Sequence, residues 1–299
     1  MTEPALTIGM PVYNGERYIE QAIDSLLAQT FTDLELLIAD NASTDRTPEI
    51  CGAYARRDPR VRYVRHERNL GVFPNTEFVM RQARGTYFML VGDDDIYHPE
   101  YAARLMALHA ANPGLILAYA DFGYVTGDGK KTAGGTTVFL DPASTPVRNL
   151  ALHIWKRPVL PMIMGIFRTD VLAAGLPFVS FGSMTGGVDL VFMVRVLAAG
   201  RVASARDVLF WYRLKDRSAT VPSTWPTGAF ARRWEVWKLN VRVAAGMSRA
   251  IGESPLGPSA KLALSALSFV SLAAHLIALP ILVLIRRVRA ASPMAADAL

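Results

Sequence analysis

A chain of 299 residues, half of them apolar, can bury one large or two modest cores, so disorder is not its default state. Its formal charge of +6 does not read as a nucleic-acid surface, because Lys and Arg do not alternate with aromatics and gather instead in the last quarter. The lone cysteine, Cys51, excludes a disulfide framework and has no Cys or close His pair beside it for zinc, which fits a reducing compartment. The opening Met1-Thr2-Glu3-Pro4-Ala5 has neither a basic leader nor a long apolar stretch, so the bulk of the chain is expected in the cytoplasm.

The first 125 residues alternate strand and helix patterns, which predicts an α/β sheet with parallel connections. Leu6 to Val12 reads as the first strand. Tyr18, Ile19, Ala22, Ile23, Leu26 and Leu27 then recur at helical spacing, and Leu34 to Ala39 is a second apolar run ending in Asp40-Asn41. Thr47-Pro48 opens a helix, Val61 to Val64 makes a third strand, and Asn75 to Arg84 a helix. The fourth strand, Tyr87 to Val91, runs into Gly92-Asp93-Asp94-Asp95, and Pro99 opens another helix.

Leu115 to Val125 is a further strand and residues 126–131 a turn. The stretch from Ala133 to Pro161, rich in Gly, Pro and Thr, is expected to be a mobile loop or a hairpin lining a cleft. Order returns at Met162 to Arg168. Val188 to Ala199 has helical spacing, and Val202 to Tyr212 ends the compact part as one or two strands. The expected division is therefore residues 1–225, in halves 1–125 and 126–225, followed by a tail, 226–299.

In the tail, Phe230, Trp234, Trp237 and Val241 share one helix face, and Lys238, Arg242 and Arg249 another. That pattern fits a helix at a lipid surface, or one packed on the rest of the chain. Leu262 to Ile285 runs 24 residues without a charge. As a helix rising about 1.5 Å per residue it would cover a hydrocarbon core of roughly 30 Å. Ser265, Ser268, Ser271, His275 and Pro280 make it less apolar than a typical span and favour a kink. Basic residues flank it on both sides, which suits a re-entrant or in-plane segment, or burial in a homo-oligomer, better than one crossing.

Adjacent carboxylates repel, so Asp93, Asp94 and Asp95 at the mouth of a buried strand point to a bound cation, with a solvated acidic turn as the alternative. Oxygen ligands suit Mg²⁺ or Mn²⁺, which can neutralise a diphosphate leaving group. Asp40 and this triplet both follow strands at their carboxyl ends, where open α/β sheets bind ligands. Other nucleotide and hydrolase signatures are missing. No G-x-G-x-x-G opens the first strand-to-helix turn, Gly127 to Thr132 lacks phosphate-loop spacing, and no G-x-S-x-G is present.

One ordered set of motifs resembles the family 2 glycosyltransferases. The set is Pro11-Val12-Tyr13-Asn14-Gly15, Ala39 to Asp45, Arg68-Asn69-Leu70-Gly71, Asp93-Asp94-Asp95 with Pro99, and Asp189, over roughly residues 5 to 218. The resemblance implies a GT-A fold, a Rossmann-like α/β unit with a mixed central sheet flanked by helices. It also implies a metal-dependent transferase working with inversion. A nucleotide-sugar donor, UDP- or dTDP- in preference to GDP-linked, would be held by Pro11, Tyr13, Asn14, Asp40, Asn69 and Asp93. Asp94, backed by Asp95, would bind Mn²⁺ or Mg²⁺, and Asp189 would be the base. Gly92 stands where many members have a first Asp, Val188 replaces a common acidic residue, and Lys215 in Tyr212-Arg213-Leu214-Lys215 takes a His position. Arg213 and Lys215 are expected diphosphate contacts. A glycan or lipid-linked acceptor at the cytoplasmic membrane surface completes the expectation. The rival readings are a sugar nucleotidyltransferase and a non-catalytic glycan-binding or membrane scaffold protein.

Overall fold

The structure, a computed structural model, describes residues 3–132, 134, 143–156, 160–178, 187–214 and 229–291. In chain order its elements begin β1 (Leu6–Val12), α1 (Ile19–Leu27), β2 (Leu34–Asp40), α2 (Thr47–Arg57), β3 (Val61–Arg65), α3 (Val72–Arg81), β4 (Tyr87–Leu90), β5 (Ile96–Tyr97) and α4 (Tyr101–Ala111). They continue with β6 (Leu115–Val125), β7 (Lys131–Thr132), α5 (Pro146–Lys156), α6 (Leu160–Ile163), β8 (Ile166–Arg168), α7 (Thr169–Gly175), α8 (Val188–Ala198), β9 (Arg201–Arg213), α9 (Ala229–Glu253) and α10 (Pro258–Ala291).

The strands form one sheet in the order β3-β2-β1-β4-β8-β6-β9-β5, with β7 on β6. β1 is parallel to β2 and β4, and β2 to β3, while β8 runs antiparallel between β4 and β6. The result is the expected mixed sheet. β1 and β2 are nearly continuous apolar runs because helices cover both faces. One face buries Ile23, Leu36 and Leu105 under α1, α2 and α4. The other buries Val79, Ile154 and Phe192 under α3, α5 and α8.

Two elements differ from expectation. α3 starts at Val72, after Gly71 at φ +92°, so Asn75 lies inside the helix, where its Nδ2 donates to Ala39 O at 2.9 Å. The stretch expected to be a loop contains α5, which opens on a proline and buries Asn149, Leu150, His153 and Ile154 on one face. Residues 135–142 of that stretch lie outside the described residues.

The tail is also differently placed. Val243, Met247, Ala250 and Ile251 of α9 and Leu264 of α10 belong to the same core as α5 and α8. Ser268 and Ser271 are fully buried, and Ser271 Oγ donates to Ile154 O at 2.9 Å, so the serines of the apolar run face protein. Among the described residues no helix is long and apolar enough to cross a membrane.

Gly187, at φ +84°, lets α8 begin against α9: a Cβ there would collide with Val243 Cγ2. Gly187→Ala adds this clash to a left-handed backbone. It is expected to lower stability by roughly 1–3 kcal/mol, read as a drop in urea midpoint at unchanged m-value.

Candidate active site at the strand ends

Because β1 to β4 are mutually parallel, their carboxyl ends lie on one edge of the sheet. β1 sits between β2 and β4, where the chain reverses its direction of winding, and such a point forms a crevice. In register, Val12 pairs with Asp40 and Asp40 with Arg65, so Tyr13, Asp40 and Arg65 come from neighbouring strand ends. Pro11, opposite Ala39, lies near the end of β1, two residues before the exposed Tyr13.

Asp40 is wholly buried. Its Oδ1 accepts from Ser43 N at 2.8 Å, and its Oδ2 accepts from Tyr63 Oη at 2.7 Å and lies 3.4 Å from Arg65 Nε. Burial, then the hydrogen bond to Asp40, pushes the Tyr63 phenol above its ordinary value, so Tyr63 stays a donor. Burial together with the charges of Asp40, Asp45 and Asp93 pushes the Cys51 thiol up to about 12, which removes it as a nucleophile.

The loops after β1 and β2 brace each other. Asn14, at φ +54°, donates its N–H to Ser43 Oγ at 2.9 Å, while its Oδ1 accepts from Thr44 N at 2.9 Å. Gly15 N donates to Thr47 Oγ1, Glu16 N to Asp45 Oδ2, and Arg46 N to Glu16 Oε2. Asn41 ties in the loop after β3: its Nδ2 donates to Asn69 Oδ1 and its Oδ1 accepts from Leu70 N. Asn14 thus serves the loop scaffold through its acceptor oxygen, and Asn69 is held at an exposed position by Asn41.

The acidic turn lies across the crevice. Asp93 Oδ2 would be 2.5 Å from a Cβ on Gly15, which places this carboxylate against the β1 loop. Asp95 Oδ2 and Asp94 Oδ1 stand 2.8 and 3.2 Å from where a Cβ on Gly92 would be. Gly92 thus lets these two carboxylates lie close against the backbone, and a side chain at that position would require them to shift. Burial, then the charges of Asp95 and Asp94, raises the Tyr97 phenol well above its usual value.

Arg213, expected as a diphosphate contact, is 1% exposed, and each guanidinium nitrogen is engaged by protein, so it serves in this structure as an internal brace. Its main-chain N donates to Asp95 Oδ1 at 2.9 Å and its Nε to Asp94 O at 2.7 Å. Nη1 donates to Thr126 O at 3.0 Å, Nη2 to Gln21 Oε1 at 3.0 Å, and the guanidinium lies 4.2 Å from the Tyr18 ring centre. Lys215 lies outside the described residues.

Asp189 occupies the first turn of α8, partly buried, with Leu190 N donating to its Oδ1 at 3.0 Å. Burial raises its carboxyl above the ordinary carboxylate range. His153 of α5 bonds Leu190 O at 3.2 Å, fixing that turn. Sequence reasoning missed His153, Tyr63 and Arg65; for Arg65 the signal was available, since it ends a strand in the same position as Asp40.

This fold, with its strand-end aspartate and acidic turn at the sheet's reversal point, is that of an α/β glycosyltransferase. Residues 7–171, more than half of the chain, match the model of Glycosyl transferase family 2, and the chain belongs to that family. Among curated relatives, a Bacillus subtilis protein described as the uncharacterized glycosyltransferase EpsJ is 41% identical over 92 residues, 31% of this chain and 26% of that protein. Escherichia coli chondroitin synthase is 36% identical over 97 residues, 32% of this chain and 14% of the synthase. The match thus spans only 26% and 14% of these relatives' lengths. Staphylococcus aureus TarS 1–349 in complex with UDP-GlcNAc superposes with a TM-score of 0.69 at 18% identity, covering 89% of this chain and 72% of that one. The Pyrobaculum calidifontis mannosyltransferase PcManGT with GDP-Man and Mn²⁺ gives 0.57 at 18%, covering 97% and 81%. These likenesses establish the fold.

Arg213→Met keeps bulk but strands Asp94 O, Thr126 O and Gln21 Oε1. It is expected to lose about 3 kcal/mol or more in urea unfolding, with Arg213→Lys recovering part of it.

Proposed function

We propose that this glycosyltransferase moves a sugar from a nucleoside-diphosphate donor, UDP- or dTDP-linked, to a glycan or polyprenyl-linked acceptor, with inversion, in polysaccharide or glycolipid biosynthesis. The carrying observation is the acidic turn, whose Asp94 and Asp95 carboxylate oxygens converge on the space Gly92 leaves open. A paired-oxygen cradle of that kind fits Mn²⁺ or Mg²⁺. No group of three or more metal-ligating side chains occurs among the described residues, so a cation would draw further ligands from the diphosphate and water. When bound, it neutralises charge on the departing diphosphate.

Tyr13, Pro11 and Asn69 would border the nucleoside, and Asp93, held at the β1 loop, would face the ribose. The acceptor hydroxyl must lose its proton as it attacks the anomeric carbon, and Asp189 takes it. Burial suits Asp189 to this role, because a raised carboxyl binds the proton more strongly. Since the base works ionised, kcat/KM should rise with pH through a midpoint above the ordinary carboxylate range. Asp189→Asn should lower kcat by roughly 10²-fold or more and remove that limb while donor binding persists.

Release of nucleoside diphosphate across UDP-, dTDP- and GDP-sugars, with and without Mn²⁺ and with an acceptor extract, tests the reading. Metal-dependent release with one donor supports transfer. Diphosphate formation from a nucleoside triphosphate and sugar phosphate would favour a nucleotidyltransferase, and no turnover with any donor a scaffold.

Residues 1–225 would form the catalytic unit, with 226–299 turned to the cytoplasmic face of the membrane. Trp234 and Trp237 support this, being exposed and stacked with ring centres 4.8 Å apart, as do exposed Leu262, Phe269 and Val270. Replacing both tryptophans by alanine should reduce co-sedimentation with anionic vesicles about tenfold while leaving the melting temperature within a degree or two; undiminished sedimentation would remove the lipid role.

A further inference from the structure

We propose that His153 is a positioning residue for Asp189, and that α10 takes part in the same device through Ser271. This rests on the reading of Asp189 as the base.

The connection starts at the carboxylate. Leu190 N donates to Asp189 Oδ1 at 3.0 Å, and Leu190 O meets His153 Nε2 at 3.2 Å, so one residue joins the carboxylate to α5 through both of its main-chain groups. A carbonyl oxygen only accepts, which puts the imidazole hydrogen on Nε2. His153 is 1% exposed, and an aliphatic side chain would fill the same volume at a lower desolvation cost. The imidazole is explained by where it holds α8, not by what it adds to the core.

The next residue anchors α5. Ile154 lies in the last turn of that helix, where carbonyls lack a partner within the helix, and Pro158, four residues on, has no N–H to give. The fully buried Ser271 of α10 donates to Ile154 O at 2.9 Å. The start of α8 also lies against α9, where Gly187 meets Val243. Apolar contacts tolerate small slides of one helix on another, whereas a directed hydrogen bond to one carbonyl fixes the register. That register decides the chemistry, because a base must reach the acceptor hydroxyl within about 3 Å, and a misplacement of about 1 Å costs on the order of 10²-fold.

The test is steady-state kinetics of the full chain, with the sugar nucleotide that gives nucleoside diphosphate release in the donor panel. Wild type, His153→Leu, His153→Gln and Ser271→Ala are compared, each also in an Asp189→Asn background and each checked by thermal melting. His153→Leu should lower kcat about tenfold with donor KM within about twofold, and His153→Gln, whose amide keeps a donor, should recover most of the loss. Ser271→Ala should lower kcat about threefold. In the Asp189→Asn background each loss should shrink below about twofold, because a residue that acts through Asp189 has nothing left to position. Losses that persist in full there, or an unchanged kcat in folded His153→Leu and Ser271→Ala, would overturn the proposal and leave the donor reading in place. Where His153→Leu does not fold, His153→Gln and Ser271→Ala decide by the same comparison. An unchanged kcat in Asp189→Asn would remove the base reading and this inference with it, and absence of release with every donor from folded wild type would overturn the transferase reading as a whole.

Discussion

The buried guanidinium of Arg213 is the constraint on which the site depends. It reaches the acidic turn through the Asp94 carbonyl, α1 through Gln21 and Tyr18, and the end of β6 through Thr126, while the main-chain N of the same residue holds Asp95. Residues far apart in sequence are thereby referred to one rigid group. An arginine suits this position because its planar fork addresses several acceptors at once. Its own desolvation is offset by hydrogen bonds from all three guanidinium nitrogens and by the Tyr18 ring.

The loops across the crevice follow the same logic with neutral groups. Asn14, Ser43, Thr44, Asp45 and Thr47 satisfy one another's backbone and side-chain groups, so this wall of the crevice is braced by the protein's own hydrogen bonds. A preformed wall spares the ordering entropy that a loose loop would lose on binding.

Much of the first half was legible in sequence because its signals are local. Apolar runs such as Leu34 to Ala39 can only be buried strands, and the aspartates that end them mark the ligand-binding edge. α5 was hidden, since half of its buried face is Asn149 and His153 and its surroundings are rich in Gly, Pro and Thr. The bracing bonds of Arg213 were hidden because its partners lie as far back as Gln21, a distance no local pattern spans. Arg65 drew no notice in the sequence, and its ion pair with Asp40 follows from the register of β2 and β3. Gly92 read as a gap in a motif, whereas in the fold two carboxylates lie close against it.

The sharing of one core by α8, α9 and α10 has a consequence for how this protein could diversify. Helix α8 carries Asp189 and begins against Val243 of α9, so it shares one core with the C-terminal helices. Sequence drift on the outward face of α9 and α10 leaves that core untouched. Drift on the inward face shifts Asp189 itself. Lineages are therefore expected to exchange the outer face readily and to keep the inner one in step with α8, and grafting these helices between relatives would succeed only when α8 travels with them.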